Sequence, residues 1–139
     1  MEKNKNRLLL SAGRFHGHIG PFLAIGLKMG MLANEMLGRD PFSTSVEVWV
    51  EPKPPRSCTV DGIQFVTGCT MGKGNISISP SQEDLGATFI SKDLTISLRL
   101  KSDFLCKMEA DLENAPEETV IDYAFKIMDT PYEDLFEVL

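Results

Sequence analysis

The stretch from Pro21 to Leu37 most limits what this chain can become. Proline suits a first helical position, where its missing N–H would be unpaired anyway, and Gly38 supplies a stop. Leu23, Leu27, Met31 and, one residue off the row, Leu32 form an apolar stripe at helical spacing. Phe22, Ile25, Met29 and Met36 widen it so far that the helix must be mostly buried. Gly26 and Gly30 lie four apart, on one face. Each costs about 1 kcal/mol of helix propensity. Either they are merely tolerated, or another helix or a second subunit comes close enough to need them.

A helix buried on most sides needs a substantial core around it. The chain has 139 residues, enough for one domain over residues 1–139. A net charge of -6 excludes a general nucleic-acid binder, which needs a basic face to replace counterions. The apolar stretch is interrupted by Lys28, Asn34 and Glu35, so it does not read as a membrane span. The basic start (Lys3, Lys5, Arg7) is too short for a signal peptide. Three cysteines cannot all pair within one chain, which favours free thiols or metal thiolates and a cytoplasmic protein.

Residues 1–14 read as a polar lead-in in which Leu8-Leu9-Leu10 could start a helical turn, and Phe15 to Pro21 as a glycine-punctuated loop. Ser43 to Glu51 alternates, with Val46, Val48 and Val50 on one side: a half-buried strand. A short helix follows Cys58, with Asp61 as a possible cap and Gly68 as its break. Three strands, Asn75–Ser79, Gly86–Ser91 and Leu94–Lys101, suggest an antiparallel meander with one wet face. The C-terminal third is helical, with Phe104, Leu105, Met108 and Leu112 on one face. Pro116 begins the next helix, and Thr130-Pro131-Tyr132-Glu133 reads as a capping box opening a last one through Phe136. The order describes an α+β domain.

The soft metal-ligand candidates are His16, His18, Cys58 and Cys69. Two imidazoles and two thiolates suit a tetrahedral zinc-like or iron-like site. Ten residues separate the two cysteines, far from a C-x-x-C pattern. If residues 16–18 are extended, both histidines point the same way; if the loop curls, one binds. The plain alternatives are buried cysteines and histidines bonded to loop backbone. Cys106, on an apolar helical run, reads as core. Asp61 and Lys73 are the candidates for catalysis: Asp61 as a helix cap, a partner of a histidine or a general base, Lys73 as an anion contact or a solvated turn lysine. Gly72-Lys73-Gly74 lacks the full phosphate-loop pattern.

Phe15-His16-Gly17-His18-Ile19-Gly20-Pro21-Phe22-Leu23-Ala24-Ile25-Gly26, with Asp61-Gly62-Ile63-Gln64 and Thr67-Gly68-Cys69-Thr70-Met71-Gly72-Lys73-Gly74-Asn75, resembles the FmdE family. That family takes its name from one component of formylmethanofuran dehydrogenase, a molybdenum or tungsten enzyme of methanogenic archaea. The resemblance covers roughly residues 10–139, including Pro131 to Phe136. It implies a helix–strand–helix–three-strand core with a mixed four-stranded sheet and additional C-terminal helices. It also implies a homodimer, and zinc or another divalent transition metal held by His18, Cys58 and Cys69, with His16 as a further candidate. The family's first motif usually reads H-G-H-x-C-P-G. Gly20 here replaces its cysteine and Phe22 its last glycine, so one soft ligand or reactive thiol is missing. The C-terminal four-cysteine zinc module of many members is also absent.

The resemblance points to a metal-binding accessory protein, with other components of a molybdenum or tungsten enzyme as partners. Two alternatives stand beside it: a stand-alone metalloenzyme with an open zinc–water position, and a domain with purely structural zinc.

Overall fold

The computed structural model describes residues 2–139. Its helices are α1 (Glu2–His16), α2 (Pro21–Leu37), α3 (Cys58–Thr67), α4 (Ser102–Leu112), α5 (Glu117–Asp129) and the single turn α6 (Tyr132–Leu135). Its strands are β1 (Thr44–Val50), β2 (Ile76–Pro80), β3 (Gly86–Ser91), β4 (Leu94–Leu100) and β5 (Phe136–Val138). A 3-10 turn, Met71–Lys73, precedes β2. The domain is α+β, with one mixed sheet of order β2-β1-β3-β4-β5.

The burial of α2 follows from its sequence. Every residue from Pro21 to Gly30 is buried, and α2 packs against α1, α3, α5 and β4. It ends where expected: Gly38, at φ 80°, donates its N–H to Asn34 O. Val46, Val48 and Val50 of β1 turn toward the helices, while Ser45 and Glu47 face out. The opposite sheet face is polar: Trp49 Nε1 donates to Thr88 Oγ1, which lies 2.9 Å from Ser97 Oγ.

Gly26 and Gly30 serve a helix within the chain. A Cβ at Gly26 would strike the carbonyl of Thr59, and one at Gly62 would strike the Leu23 carbonyl and the Leu27 amide. Here α2 and α3 cross backbone against backbone, with a glycine on each side. Gly30 opens the same groove to Val66 and Thr67. This face is filled by α3 and is no longer a reason to expect a second subunit.

Five expectations are corrected. Residues 2–16 are a helix rather than a lead-in, held by Leu9 and Ala12, both 0% exposed. The sheet has five strands, not four, because the chain returns at Phe136–Val138 to pair with β4. The expected meander is only the β3–β4 hairpin; β2 runs parallel to β1 at the sheet edge. Cys106 is exposed, one position off the buried Leu105–Met108 side of α4. Thr130 does not cap the last turn; Pro131 stands there, and the Thr130 hydroxyl donates to Lys126 O.

Lys28 is the charged group buried inside α2. Its Nζ donates to Met128 O near the α5 C-terminus and lies 4.5 Å from the centre of the Tyr132 ring. Burial, then Lys5, pulls its pKa below the ordinary lysine value.

The glycine crossing yields a prediction. Gly62→Ala should cost about 2–3 kcal/mol, because its methyl meets backbone that cannot rotate away. Gly72→Ala, with nothing near the added carbon, should move stability by less than about 0.5 kcal/mol. Urea denaturation of both variants checks this; equal midpoints would contradict the crossing.

Candidate functional site

The crossing of α2 and α3 sets the start of α2 beside the start of α3, and α1 ends in the same place. His16 is the last residue of α1. Gly17, at φ 103°, turns the chain there and donates its N–H to Gly13 O. The His16–His18 segment is therefore a curled helix end, not an extended stretch.

His16 Nδ1 lies 2.5 Å from Asp61 Oδ2, across 45 residues of sequence. An ionised carboxylate can only accept, so this contact puts a ring proton on Nδ1; in the neutral imidazole Nε2 then carries the lone pair. Asp61 sits in the first turn of α3 but makes no capping bond. Of its three sequence-level roles, partner of a histidine is the one the geometry supplies. Gln64, one turn on, donates from Nε2 to Asp61 Oδ1 at 3.4 Å and accepts from the Met71 amide at 2.9 Å.

His16, His18 and Cys58 line one cavity of about 390 Å³. Its floor is the start of α2, from Gly20 to Leu23; its far wall is α4 and α5, through Met108, Leu112 and Val120. Arg56 ties α4 in place with a forked pair to Glu109, at 3.0 and 2.8 Å, and donates to Gln82 O. The lining is mostly apolar with a few polar groups, the usual make-up of a small-ligand site. His18 is more open, with Nε2 3.5 Å from Glu117 Oε1 at the start of α5. Burial, then the Asp61 charge, pushes the Cys58 thiol above its ordinary pKa.

Cys69 is elsewhere. Cys58 opens α3 and Cys69 follows its C-terminus, so about ten residues of helix, roughly 15 Å of rise, separate them. The Cys69 thiol is fully buried and donates to Thr44 O at 3.4 Å. Burial raises its pKa too. Lys73 is likewise away from the cavity, its Nζ donating to Thr70 Oγ1.

The donors fit a metal ion only in part. Three of the four expected ligands share a cavity, and His16 is oriented through its other nitrogen. Among the described residues, however, no three His, Cys, Asp or Glu side chains converge closely enough to hold an ion as they stand. A Cβ at Gly20 would lie 3.5 Å from His18 Nδ1. A cysteine at this position, as in the pattern the resemblance implies, would thus stand beside His18.

Met108, Glu109, Leu112 and Val120 were not legible as site residues. Their spacing says only that α4 and α5 are amphipathic; α5 reaches the α1–α2 corner by packing on both helices, and α4 is tied to Arg56 through Glu109.

The three thiols should separate by access. Alkylation of native protein should label Cys106 first and Cys58 more slowly, accelerating with pH as the raised thiol ionises. Cys69 should react only after unfolding. Peptide mass mapping over time checks the order; early labelling of Cys69 would contradict its burial.

Two comparisons bear on identity. A probable S-adenosyl-L-methionine-binding protein of Archaeoglobus fulgidus is 42% identical over 72 residues, covering 50% of this chain and 20% of that protein. The chain thus spans about a fifth of that relative's length. The profile of the family described as FmdE, molybdenum formylmethanofuran dehydrogenase operon, matches residues 15–137. With nearly the whole chain matched, and both histidines, Cys58, Asp61 and Lys73 within the match, the chain belongs to the FmdE family.

Proposed function

We propose that this chain is a metal-binding accessory protein of molybdenum- or tungsten-dependent one-carbon metabolism, acting in the cytoplasm. Its metal site is the α1–α2–α3 cavity. His16 through Nε2, Cys58 through its sulfur, and His18 would hold a zinc or another divalent transition ion. Asp61 would fix the His16 ring, as carboxylates commonly do for metal-bound histidines. The observation carrying this reading is the His16–Asp61 contact on the wall that also presents Cys58. A bound zinc with an open position would supply a Lewis acid. The chain's own part is to keep the Nδ1 proton on His16, to give up the Cys58 proton, and to surround the site with apolar side chains from α2 and α4.

Cys69 is left out of this set, because α3 itself holds the two thiols apart. A zinc staple between residues 15–21 and both cysteines would need that separation undone.

Metal analysis of purified protein tests the assignment. Wild type and Cys69→Ser should each retain about one ion per chain. Cys58→Ser should lose it, and Asp61→Asn should hold it about 10–100-fold more weakly. Full occupancy in Cys58→Ser would overturn the site; loss only in Cys69→Ser would restore the four-ligand arrangement.

The family resemblance further supports a homodimer and association with other dehydrogenase components. No described helix is long and apolar enough to cross a membrane. Light scattering should give twice the chain mass; a monomer at working concentration would rule the homodimer out.

A further inference from the structure

A second concavity lies at the other end of α3 from Cys58. It has a volume of about 340 Å³ and takes in Phe15, Arg39, Gln64, Phe65, Thr70 and Lys73. Two cations lie here, Arg39 and Lys73, and Lys73 meets an aromatic face. Arg39 donates from Nε to Val66 O, which fixes the guanidinium over the end of α3. It can lie that close because Gly68 has no side chain: a Cβ there would stand 3.0 Å from Arg39 Nη2 and 2.8 Å from Pro41. Lys73 is held by a neutral partner, the Thr70 hydroxyl at 3.0 Å, with its Nζ 5.4 Å from the centre of the Phe42 ring.

Neither cation has a carboxylate within salt-bridge distance among the described residues. Asp40, on the same loop, accepts from the Ser43 amide. Two cations outside any ion pair, with Asp40 the carboxylate on the same loop, make a local anion-attracting spot on a chain of net charge -6. Beside them, the Phe15 and Phe65 rings pack with centroids 5.6 Å apart, and Phe15 is 57% exposed. The turn itself does not cradle an anion with its backbone. Its Met71 amide is given to Gln64, and its Lys73 and Gly74 amides to Thr70 O. Recognition here belongs to side chains.

We infer that this concavity binds a phosphomonoester carried on a flat heterocycle, the chemistry of a nucleoside monophosphate. The phosphate is taken by Arg39 and Lys73, whose charge-assisted bonds suit its oxygens. The base lies against the exposed Phe15 ring, since any base offers a face for stacking. The site shares α3 with the proposed metal cavity and is joined to it by Asp61–Gln64–Met71, but no part of it needs the metal.

Adenosine 5′-monophosphate is the probe, titrated into the isotope-labelled chain as purified and again after chelation, with adenosine and ribose 5-phosphate as half-ligands. Saturable NMR shifts at residues 15, 39, 65 and 70–74 are expected with millimolar or tighter affinity in both preparations. Each half-ligand should bind about tenfold more weakly. Arg39→Ala and Lys73→Ala should each weaken the monophosphate by about tenfold, on the size of a charged hydrogen bond. Phe15→Ala should weaken adenosine and leave ribose 5-phosphate unchanged. No saturation by roughly ten millimolar would overturn the site. So would either half-ligand matching the whole, or shifts that map to the Cys58 cavity. Success after chelation alongside failed metal retention separates this site from the metal reading. Sedimentation of each variant is run beside the titrations; dimers lost in Arg39→Ala and Lys73→Ala without any nucleotide binding would reassign the surface to a second copy of the chain.

Discussion

The structure depends on one contact, the crossing of α2 over α3 at Gly26 and Gly62. Helices normally pack 8–10 Å apart because side chains stand between them. Here both sides lack one, and carbonyl, amide and Cα atoms of the two backbones meet directly. The crossing fixes the relative rotation of the two helices, since only one face of each can approach so near. That rotation brings Asp61, one residue before Gly62, up to the end of α1. It also leaves Cys58, one turn earlier, at the mouth between Pro21 and α4. The His16–Asp61 contact is therefore a consequence of helix packing rather than of any local motif.

The same dependence explains what could be read from the sequence. The α2 helix was legible because its apolar residues cover too much of its circumference for any exposed position. Strand β1 was legible because valine at every second residue gives a strand one apolar face and gives a helix none. Helix α1 was not: Leu9 and Ala12 share a face at helical spacing, but so short a stripe among Lys3, Lys5, Asn6 and Arg7 does not stand out as a helix. Its stability comes from packing on α2, α3 and α5. The partner of β2 was equally hidden, since alternation gives a strand's faces and says nothing about its neighbours. Strand β5 has only three residues and gains its order from pairing with β4.

The candidate site shows the same division. Residue types alone drew out His16, His18, Cys58 and Asp61, and folding sets all four around one corner. Cys69 has the same chemistry and lies apart. Eleven positions are loose in a loop and long in a helix; the short helix expected between Cys58 and Gly68 already implied the long spacing, and residues 58–67 are helical. Cys106 failed for a related reason. Its neighbours Leu105 and Met108 are buried, but a 100° step per residue carries Cys106 off their face.

Helix α3 thus does more than hold two ends of the site apart. Asp61 and Gln64, three residues apart, share one face. Asp61 fixes His16 on the cavity side, and Gln64 fixes Met71 at the start of the glycine turn. A single polar line of side chains therefore runs along α3 from the histidine loop to the turn holding Lys73. Gly68 ends the helix at φ 78°, and the space it leaves admits Arg39. The two halves of the long motif, Asp61 to Gln64 and Thr67 to Asn75, are accordingly not one binding loop. They are the two ends of a short helix, each joined by hydrogen bonds to a different surface. A cysteine in place of Gly20 would bear only on the first of these ends. The chemistry around Lys73 and Arg39 is untouched by it, because nothing at Gly20 reaches beyond His18.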